Sequence, residues 1–217
     1  MKKLAVLFPG WGYGQEKPLL HYGNEAMVQQ GYEVLCLSYD DLTRNVKISI
    51  EEHSVENEKV QNIKEKVLRD LGKVAWEQYD KIIFLSKSIG TVMAGIAEKE
   101  LKLKNVYHIF LTPLPQTLPF FKEGKCKVIA GTKDKYLAAE ELQSYCEEHG
   151  ISYRQFEGVG HSMEDTQDVL TRSSSKAQAM CVSKPRRLGP ITPTDWLCLQ
   201  AATQRRQRIH LLLSRTM

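Results

Sequence analysis

A serine, an aspartate and a histidine each stand just after a short strand-like segment of this sequence. Ser88 lies in "FLSKSIG", Asp134 in "AGTKDKY" and His161 in "EGVGHSME". A hydroxyl, a carboxylate and an imidazole are the groups that nucleophilic catalysis at a carbonyl combines. Taken singly, each residue has a plainer interpretation: Ser88 as the N-cap of a helix, Asp134 as a turn residue and His161 as a solvated loop side chain.

A loop near the N-terminus, "LAVLFPGWGYGQ", breaks from an apolar run into three alternating glycines. A strand followed by Gly10-x-Gly12, with Asp40 ending the next strand, is typical of a dinucleotide-binding loop. The third glycine of that fingerprint would fall at Gln15, and Pro18 stands where the phosphate-binding helix should already be running. The sequence therefore favours another use of the backbone N–H groups in this loop.

Short apolar runs alternate with stretches of helical periodicity along most of the chain. Strands are predicted over 3–8, 32–39, 81–86, 105–111, 126–131 and 152–158, and helices over 18–30, 56–76, 89–101 and 136–150. This alternation predicts an α/β fold, a three-layer sandwich with a mostly parallel sheet of roughly six strands. Ligands of such sheets bind at the carboxyl ends of the strands, where Ser88, Asp134 and His161 are expected.

Together these segments resemble the α/β-hydrolases over roughly residues 3–170. "SKSIG" is similar to their nucleophile elbow G-x-S-x-G, with Ser86 in place of the first glycine, and the chain order Ser, Asp, His is that of the family. The resemblance implies that Ser88 is the nucleophile, His161 the general base and Asp134 the acid that orients the imidazole. It implies a small serine hydrolase with little room for a lid. Such an enzyme cleaves an ester or thioester through an acyl-enzyme and needs no metal or organic cofactor.

The same resemblance implies an oxyanion hole. In α/β-hydrolases the loop after the corresponding first strand supplies one backbone N–H, and the residue after the nucleophile supplies the other. These are the N–H groups of Trp11 and Ile89 in this sequence. Pro9-Gly10 stands where the family commonly has His-Gly.

The acyl site is less clearly marked in the sequence. The segment "TPLPQTLPFF" at 112–121 is long enough only for a flap. The predicted substrate-binding side chains are Tyr13, Leu114, Leu118 and Phe120, with ordinary core packing as the alternative. Lys87, beside Ser88, either favours an anionic substrate or is a solvated surface lysine.

Charge divides the chain near residue 172. Residues 1–171 hold 21 Lys and Arg against 25 Asp and Glu, whereas residues 172–217 hold 9 against 1. We interpret 1–171 as the hydrolase domain and 172–217 as a basic tail, either foreign to the fold or poorly ordered. The tail is either foreign to the fold, from a frameshift or read-through, or a natural extension. If it is foreign, one face of the sheet is poorly covered, and self-association into a homo-oligomer is expected.

Two other functions stay open at this point. Because Ser86 and Pro9 depart from the usual pattern, the chain could be a non-catalytic binding protein on a hydrolase scaffold. The basic tail could bind nucleic acid or a membrane surface. The favoured interpretation is an enzyme acting on a small-molecule acyl substrate, with neither nucleic acid nor membrane as partner.

Bulk properties are those of an ordinary globular protein. The chain has 217 residues, 42% of them hydrophobic, and no apolar run of membrane-spanning length. A cytoplasmic location is expected. The five cysteines are odd in number and lack metal-like spacing, so reduced thiols are expected.

Overall fold

A sheet of six parallel strands forms the centre of the chain. The computed structural model describes residues 1–43 and 57–163. The predicted domain boundary at 171 and the tail 172–217 lie outside the described residues. The strands are β1 (Lys3–Phe8), β2 (Glu33–Cys36), β3 (Lys81–Lys87), β4 (Val106–Leu111), β5 (Cys126–Lys133) and β6 (Ser152–Gly160). Their order across the sheet is β2-β1-β3-β4-β5-β6, and every neighbouring pair is parallel.

Helices connect these strands. They are α1 (Pro18–Gln29), α2 (Asp40–Thr43), α3 (Glu58–Leu71), α4 (Ile89–Glu100) and α5 (Ala139–Glu148), with two short 3-10 helices at Trp76–Gln78 and Pro115–Phe120. The prediction of a three-layer α/β sandwich with a six-stranded parallel sheet is confirmed. None of the helices in the described ranges combines the length and the apolar character that a membrane crossing requires.

The central strands are buried on both faces, which explains their nearly continuous apolar sequences. On one face, Phe84 of β3 belongs to an apolar cluster that includes Met93 and Ala94 of α4. On the other face, Leu85 lies directly against Gly23 of α1, where an added Cβ would come within 2.3 Å of Leu85 Cδ2. Alternate residues of β3 thus hold helices on opposite sides of the sheet.

Strand β2 and helices α3 and α5 are each several residues shorter in the structure than predicted. Strand β2 ends at Cys36 rather than at residue 39, although the Leu37 N–H still donates to the Leu7 carbonyl oxygen at 3.1 Å. Helix α3 begins after Asn57, whose side chain accepts from the Lys59 N–H at 2.9 Å, and ends at Leu71. Local capping and the departure of the chain from the sheet set these ends, whereas apolar periodicity extends past them.

The chain reverses direction across the sheet between β1 and β3. From β1 it moves outward to β2, and it then returns to the far side of β1 and adds β3 to β6 in sequence order. The chain therefore leaves the carboxyl ends of β1 and β3 in opposite directions across the sheet. Such a switch point leaves a crevice where α/β proteins bind their ligands.

Candidate active site

Ser88 occupies a strained turn between β3 and α4. Its φ of 54° and ψ of −124° lie in a region that non-glycine residues rarely adopt. The residue takes the N-cap position of α4, yet its side chain makes no capping hydrogen bond. Its Oγ instead lies 2.9 Å from Nε2 of His161. The plainer interpretation of Ser88, as a helix cap, therefore does not describe its side chain.

Small neighbours permit this turn. A Cβ at Gly90 would lie 2.4 Å from the backbone oxygens of both Phe8 and Pro9, so only glycine lets α4 begin this close to β1. Ser86 is fully buried, and its Oγ makes a long hydrogen bond of 3.4 Å to the Ile109 carbonyl oxygen of β4. The serine that replaces the usual first glycine is thus accommodated against the neighbouring strand.

His161 lies between Ser88 and Asp134. Its Nδ1 is 2.8 Å from Oδ2 and 3.0 Å from Oδ1 of Asp134, whose side chain is only 1% exposed. Because a carboxylate accepts, Nδ1 carries the proton, and Nε2 presents its lone pair to the Ser88 hydroxyl. The Asp134 Oδ1 also accepts from the Tyr136 N–H at 2.9 Å, and the Tyr136 ring packs on the imidazole with a centroid distance of 4.3 Å. The three side chains form one continuous hydrogen-bond chain.

A pair of buried threonines holds the carbonyl oxygen of Ser88 in the turn between β3 and α4. Thr91 Oγ1 lies 2.6 Å from the Ser88 carbonyl oxygen, and the Thr91 N–H donates to the same oxygen at 2.8 Å. Thr91 Oγ1 also lies 2.6 Å from Thr117 Oγ1. Since the single Thr91 hydroxyl proton goes to the carbonyl, Thr117 must donate to Thr91. Nothing in the sequence marks this pair, because only the fold brings Thr117 to α4.

The glycine loop after β1 folds into a tight turn beside Ser88. The Gly10 N–H donates to the Tyr13 carbonyl oxygen at 3.0 Å, and the Tyr13 N–H donates to the Gly10 carbonyl oxygen at 3.2 Å. Gly12 has a φ of +60°, which glycine adopts without cost. A Cβ at Gly10 would lie 3.3 Å from Ser88 Cβ, so the turn that carries Trp11 abuts the serine.

This geometry differs from that of a dinucleotide-binding loop. Helix α1 begins at Pro18, well after the glycines, so its N-terminus does not follow them directly. Buried Tyr39, just after β2, donates its hydroxyl to the Pro9 carbonyl oxygen and fixes the start of the turn. Burial, with a smaller contribution from Asp40, raises the pKa of Tyr39 well above its usual value, so the phenol remains a donor.

The other predicted oxyanion-hole donor, the N–H of Ile89, belongs to the first residue of α4. The first N–H groups of a helix have no acceptor within that helix and point out of its N-terminus. The partial positive charge of this helix end also favours a nearby anion. Ile89 follows Ser88 directly in the chain, and Trp11 follows Gly10, which abuts Ser88.

The predicted substrate-binding residues fall into two places. Tyr13 is half-buried in the turn beside Ser88, and its hydroxyl accepts from the Leu19 N–H at 3.1 Å. Leu114 is 1% exposed within the main apolar core, while Leu118 and Phe120 are partly buried against it. The segment 112–121 is therefore packed onto the domain rather than projecting as a flap. This placement favours core packing for Leu114.

Lys87 corrects an expectation. The side chain is 2% exposed, so it is neither a solvated surface lysine nor a charge open to an anionic substrate. Its Nζ donates to the backbone carbonyl oxygen of His161 at 3.2 Å. Nζ also lies 4.8 Å from the centroid of the Tyr13 ring. The position of Lys87 at the end of a strand buried on both faces was the signal that could have indicated its burial.

A second ionic group lies within the helix–sheet interface. The Glu98 carboxylate of α4 contacts His108 Nε2 at 3.2 Å and accepts from Lys122 Nζ at 3.0 Å. Burial acts to raise the pKa of Glu98, but the hydrogen bonds of His108 and Lys122 outweigh it and lower that pKa. His108 Nδ1 is buried without a hydrogen-bond partner among the described atoms.

The described cysteines are free and largely shielded. Cys126 and Cys146 are buried, and Cys36 is half-buried. Burial, with smaller contributions from Cys126 and Glu147, raises the pKa of the Cys146 thiol to about 12. Within residues 1–43 and 57–163, no three side chains of His, Cys, Asp or Glu lie close enough together to hold a metal ion.

Solved structures provide the comparison with known proteins. A Xanthomonas campestris pv. campestris protein assigned to the alpha/beta hydrolase superfamily matches with a TM-score of 0.57 at 12% identity, over 78% of this chain and 93% of that chain. Est1E from Butyrivibrio proteoclasticus, with ferulic acid bound, matches with a TM-score of 0.53 at 13% identity, over 77% and 84%. The esterase Pf2001 from Pyrococcus furiosus matches with a TM-score of 0.52 at 15% identity, over 77% of each chain.

No protein-family model matches this sequence, and no curated protein does. The structural neighbours include hydrolases and esterases, but identities this low establish shared architecture rather than shared activity. The strand order, the turn at Ser88 and these neighbours together identify the chain as having the α/β-hydrolase fold.

Proposed function

We propose that this protein is a serine hydrolase that cleaves a small ester or thioester through an acyl-enzyme. The observation that carries the proposal is the continuous hydrogen-bond chain from the Asp134 carboxylate through His161 to the Ser88 hydroxyl. The strained backbone at Ser88 adds to it, since strain persists where function requires it. Structural neighbours with the same fold include a hydrolase and an esterase, which supports ester hydrolysis as the reaction class.

In the first step the Ser88 Oγ adds to the substrate carbonyl carbon, and its proton moves to Nε2 of His161. The carbonyl π electrons become an oxyanion. When the tetrahedral intermediate collapses, the alcohol or thiol leaves and takes the proton from Nε2. Asp134 holds the imidazole in the correct tautomer and stabilises the imidazolium while it lasts.

In the second step a water molecule attacks the acyl-enzyme, and His161 removes its proton. Collapse of this intermediate releases the carboxylic acid and returns the proton to Ser88. In both steps the N–H groups of Trp11 and Ile89 would donate to the oxyanion. Each such donor lowers the barrier by about 3 kcal/mol.

Exposure to a fluorophosphonate tests the proposal. The full chain should gain one covalent adduct by intact mass, and peptide mapping should locate it on Ser88. Ser88→Ala should abolish both the adduct and the hydrolysis of p-nitrophenyl acetate. A chain-length series of p-nitrophenyl esters then measures the size of the acyl site.

The same experiment distinguishes an enzyme from a binding protein. Wild-type protein that gives neither an adduct nor ester hydrolysis would exclude the serine hydrolase. An adduct that persists in Ser88→Ala would assign the nucleophile elsewhere.

A further inference from the structure

Lys87 contacts two of the loops that surround Ser88. Its Nζ donates to the carbonyl oxygen of His161, 74 residues further along the chain, at 3.2 Å. The same Nζ lies 4.8 Å from the Tyr13 ring centroid, within the range of a cation–π interaction. Its Cδ lies 3.0 Å from where a Cβ on Gly10 would stand. One side chain therefore links the histidine loop and both ends of the Gly10–Tyr13 turn to the strand that carries Ser88.

The burial of this side chain is unusual. Lysine is almost never fully buried unless its amine is paired, because removing the charge from water is unfavourable. Lys87 is 2% exposed, and its amine has a main-chain acceptor and an aromatic face. An apolar residue at this position would fill the space without the desolvation cost. The polar contacts of Lys87 therefore point to a role beyond packing.

We propose that Lys87 is a positioning residue that clamps the histidine loop and the oxyanion-hole turn to the nucleophile turn. This inference rests on the proposed hydrolase function. Catalytic groups must be held within about 0.5 Å of their productive geometry. His161 is held through its side chain by Asp134 and through its backbone by Lys87. One contact holds the imidazole, and the other holds the main chain that carries it.

Lys87→Met tests the clamp, because methionine keeps an unbranched apolar side chain and removes the donor. Lys3→Met is the matched control. Lys3 Nζ also donates to a main-chain oxygen, that of Gln30 at 3.0 Å, and lies 5.3 Å from the Tyr32 ring centroid. It makes the same two kinds of contact at the opposite, amino end of the sheet.

For p-nitrophenyl acetate, Lys87→Met should lower kcat by about 10- to 100-fold while KM changes by less than about threefold, since misplaced groups act on the transition state. Lys3→Met should leave both constants near the wild-type values. In hydrogen exchange, the backbone amides of 158–163 should exchange faster in Lys87→Met than in the wild type or Lys3→Met. If circular dichroism shows Lys87→Met to be unfolded, Lys87→Leu is measured in the same way.

Two outcomes would overturn the clamp. One is a folded Lys87 variant with wild-type kcat and wild-type exchange at 158–163. The other is an equal loss of kcat in Lys3→Met. A wild-type protein that neither hydrolyses esters nor reacts with fluorophosphonate would refute the hydrolase instead, and the exchange measurement would still decide whether Lys87 holds the histidine loop.

Discussion

Replacing Asp134 by asparagine tests how the imidazole of His161 is held. The Tyr136 N–H donates to Oδ1 at 2.9 Å, so the amide oxygen of an asparagine must occupy that place. The amide NH₂ then takes the place of Oδ2, 2.8 Å from His161 Nδ1. Nδ1 also lies 3.0 Å from the amide oxygen, but we expect the shorter contact to decide: since NH₂ only donates, Nδ1 becomes its acceptor and the imidazole proton moves to Nε2. Nε2 would then direct an N–H at the Ser88 hydroxyl and could not remove its proton.

The expected loss of kcat in Asp134→Asn depends on which groups can still act after the substitution. The proposed oxyanion-hole donors and substrate contacts would stay in place, while the proposed general-base activation of Ser88 would be lost. A tautomer error of this kind lowers kcat on the order of 10³- to 10⁴-fold. Since a tenfold rate change corresponds to about 1.4 kcal/mol, the barrier rises by about 4 to 5.5 kcal/mol. Asparagine has nearly the same shape as aspartate, so the buried site should still fold.

The assay is kcat and KM for p-nitrophenyl acetate, together with the rate of fluorophosphonate labelling of Ser88. Both rates should fall in Asp134→Asn, with KM nearly unchanged. Asp70→Asn is the control, because Asp70 lies on α3 and pairs only loosely with Lys73, at 3.6 Å. A folded Asp134→Asn protein with kcat within about threefold of the wild type would refute this account of the tautomer.

Three further predictions concern the elbow, the interface and the thiols. Gly90→Ala should lower the free energy of unfolding by about 2 kcal/mol or more, because the alanine Cβ would lie 2.4 Å from the backbone oxygen of Pro9. It should also slow the labelling of Ser88 by fluorophosphonate. The pKa of Glu98 is lower in the folded protein than the ordinary value of 4.5, so its charge stabilises the fold at pH values above 4.5. This contribution disappears as the pH falls through the folded-state pKa. In urea unfolding, Glu98→Gln should therefore cost about 2 kcal/mol at pH 7 and progressively less below pH 4.5. Since the pKa of Cys146 is about 12, iodoacetamide at pH 8 should modify it only after unfolding, as peptide mapping would show.

Much of the architecture could be predicted from local patterns. Apolar runs bounded by glycine or polar residues marked the inner strands β1, β3, β4 and β5, since a parallel strand buried on both faces is apolar nearly throughout, whereas the edge strand β6 mixes polar and apolar residues. The positions of Ser88, Asp134 and His161 just after three of those strands were equally visible. Parallel strands place their carboxyl ends along one edge, so the sequence alone predicted that the three side chains could meet.

Other features depended on which distant segments come together. The place of Lys87 at the end of a buried strand indicates burial, but nothing near it in the chain reveals that the His161 loop and the Tyr13 ring would contact its amine. The donation from Thr117 to Thr91 and from Tyr39 to Pro9 likewise joins separate elements. Local sequence encodes where a strand ends and which residue follows it. The partners of a buried polar group are set by packing between segments far apart in the chain, and only the tertiary structure decides those.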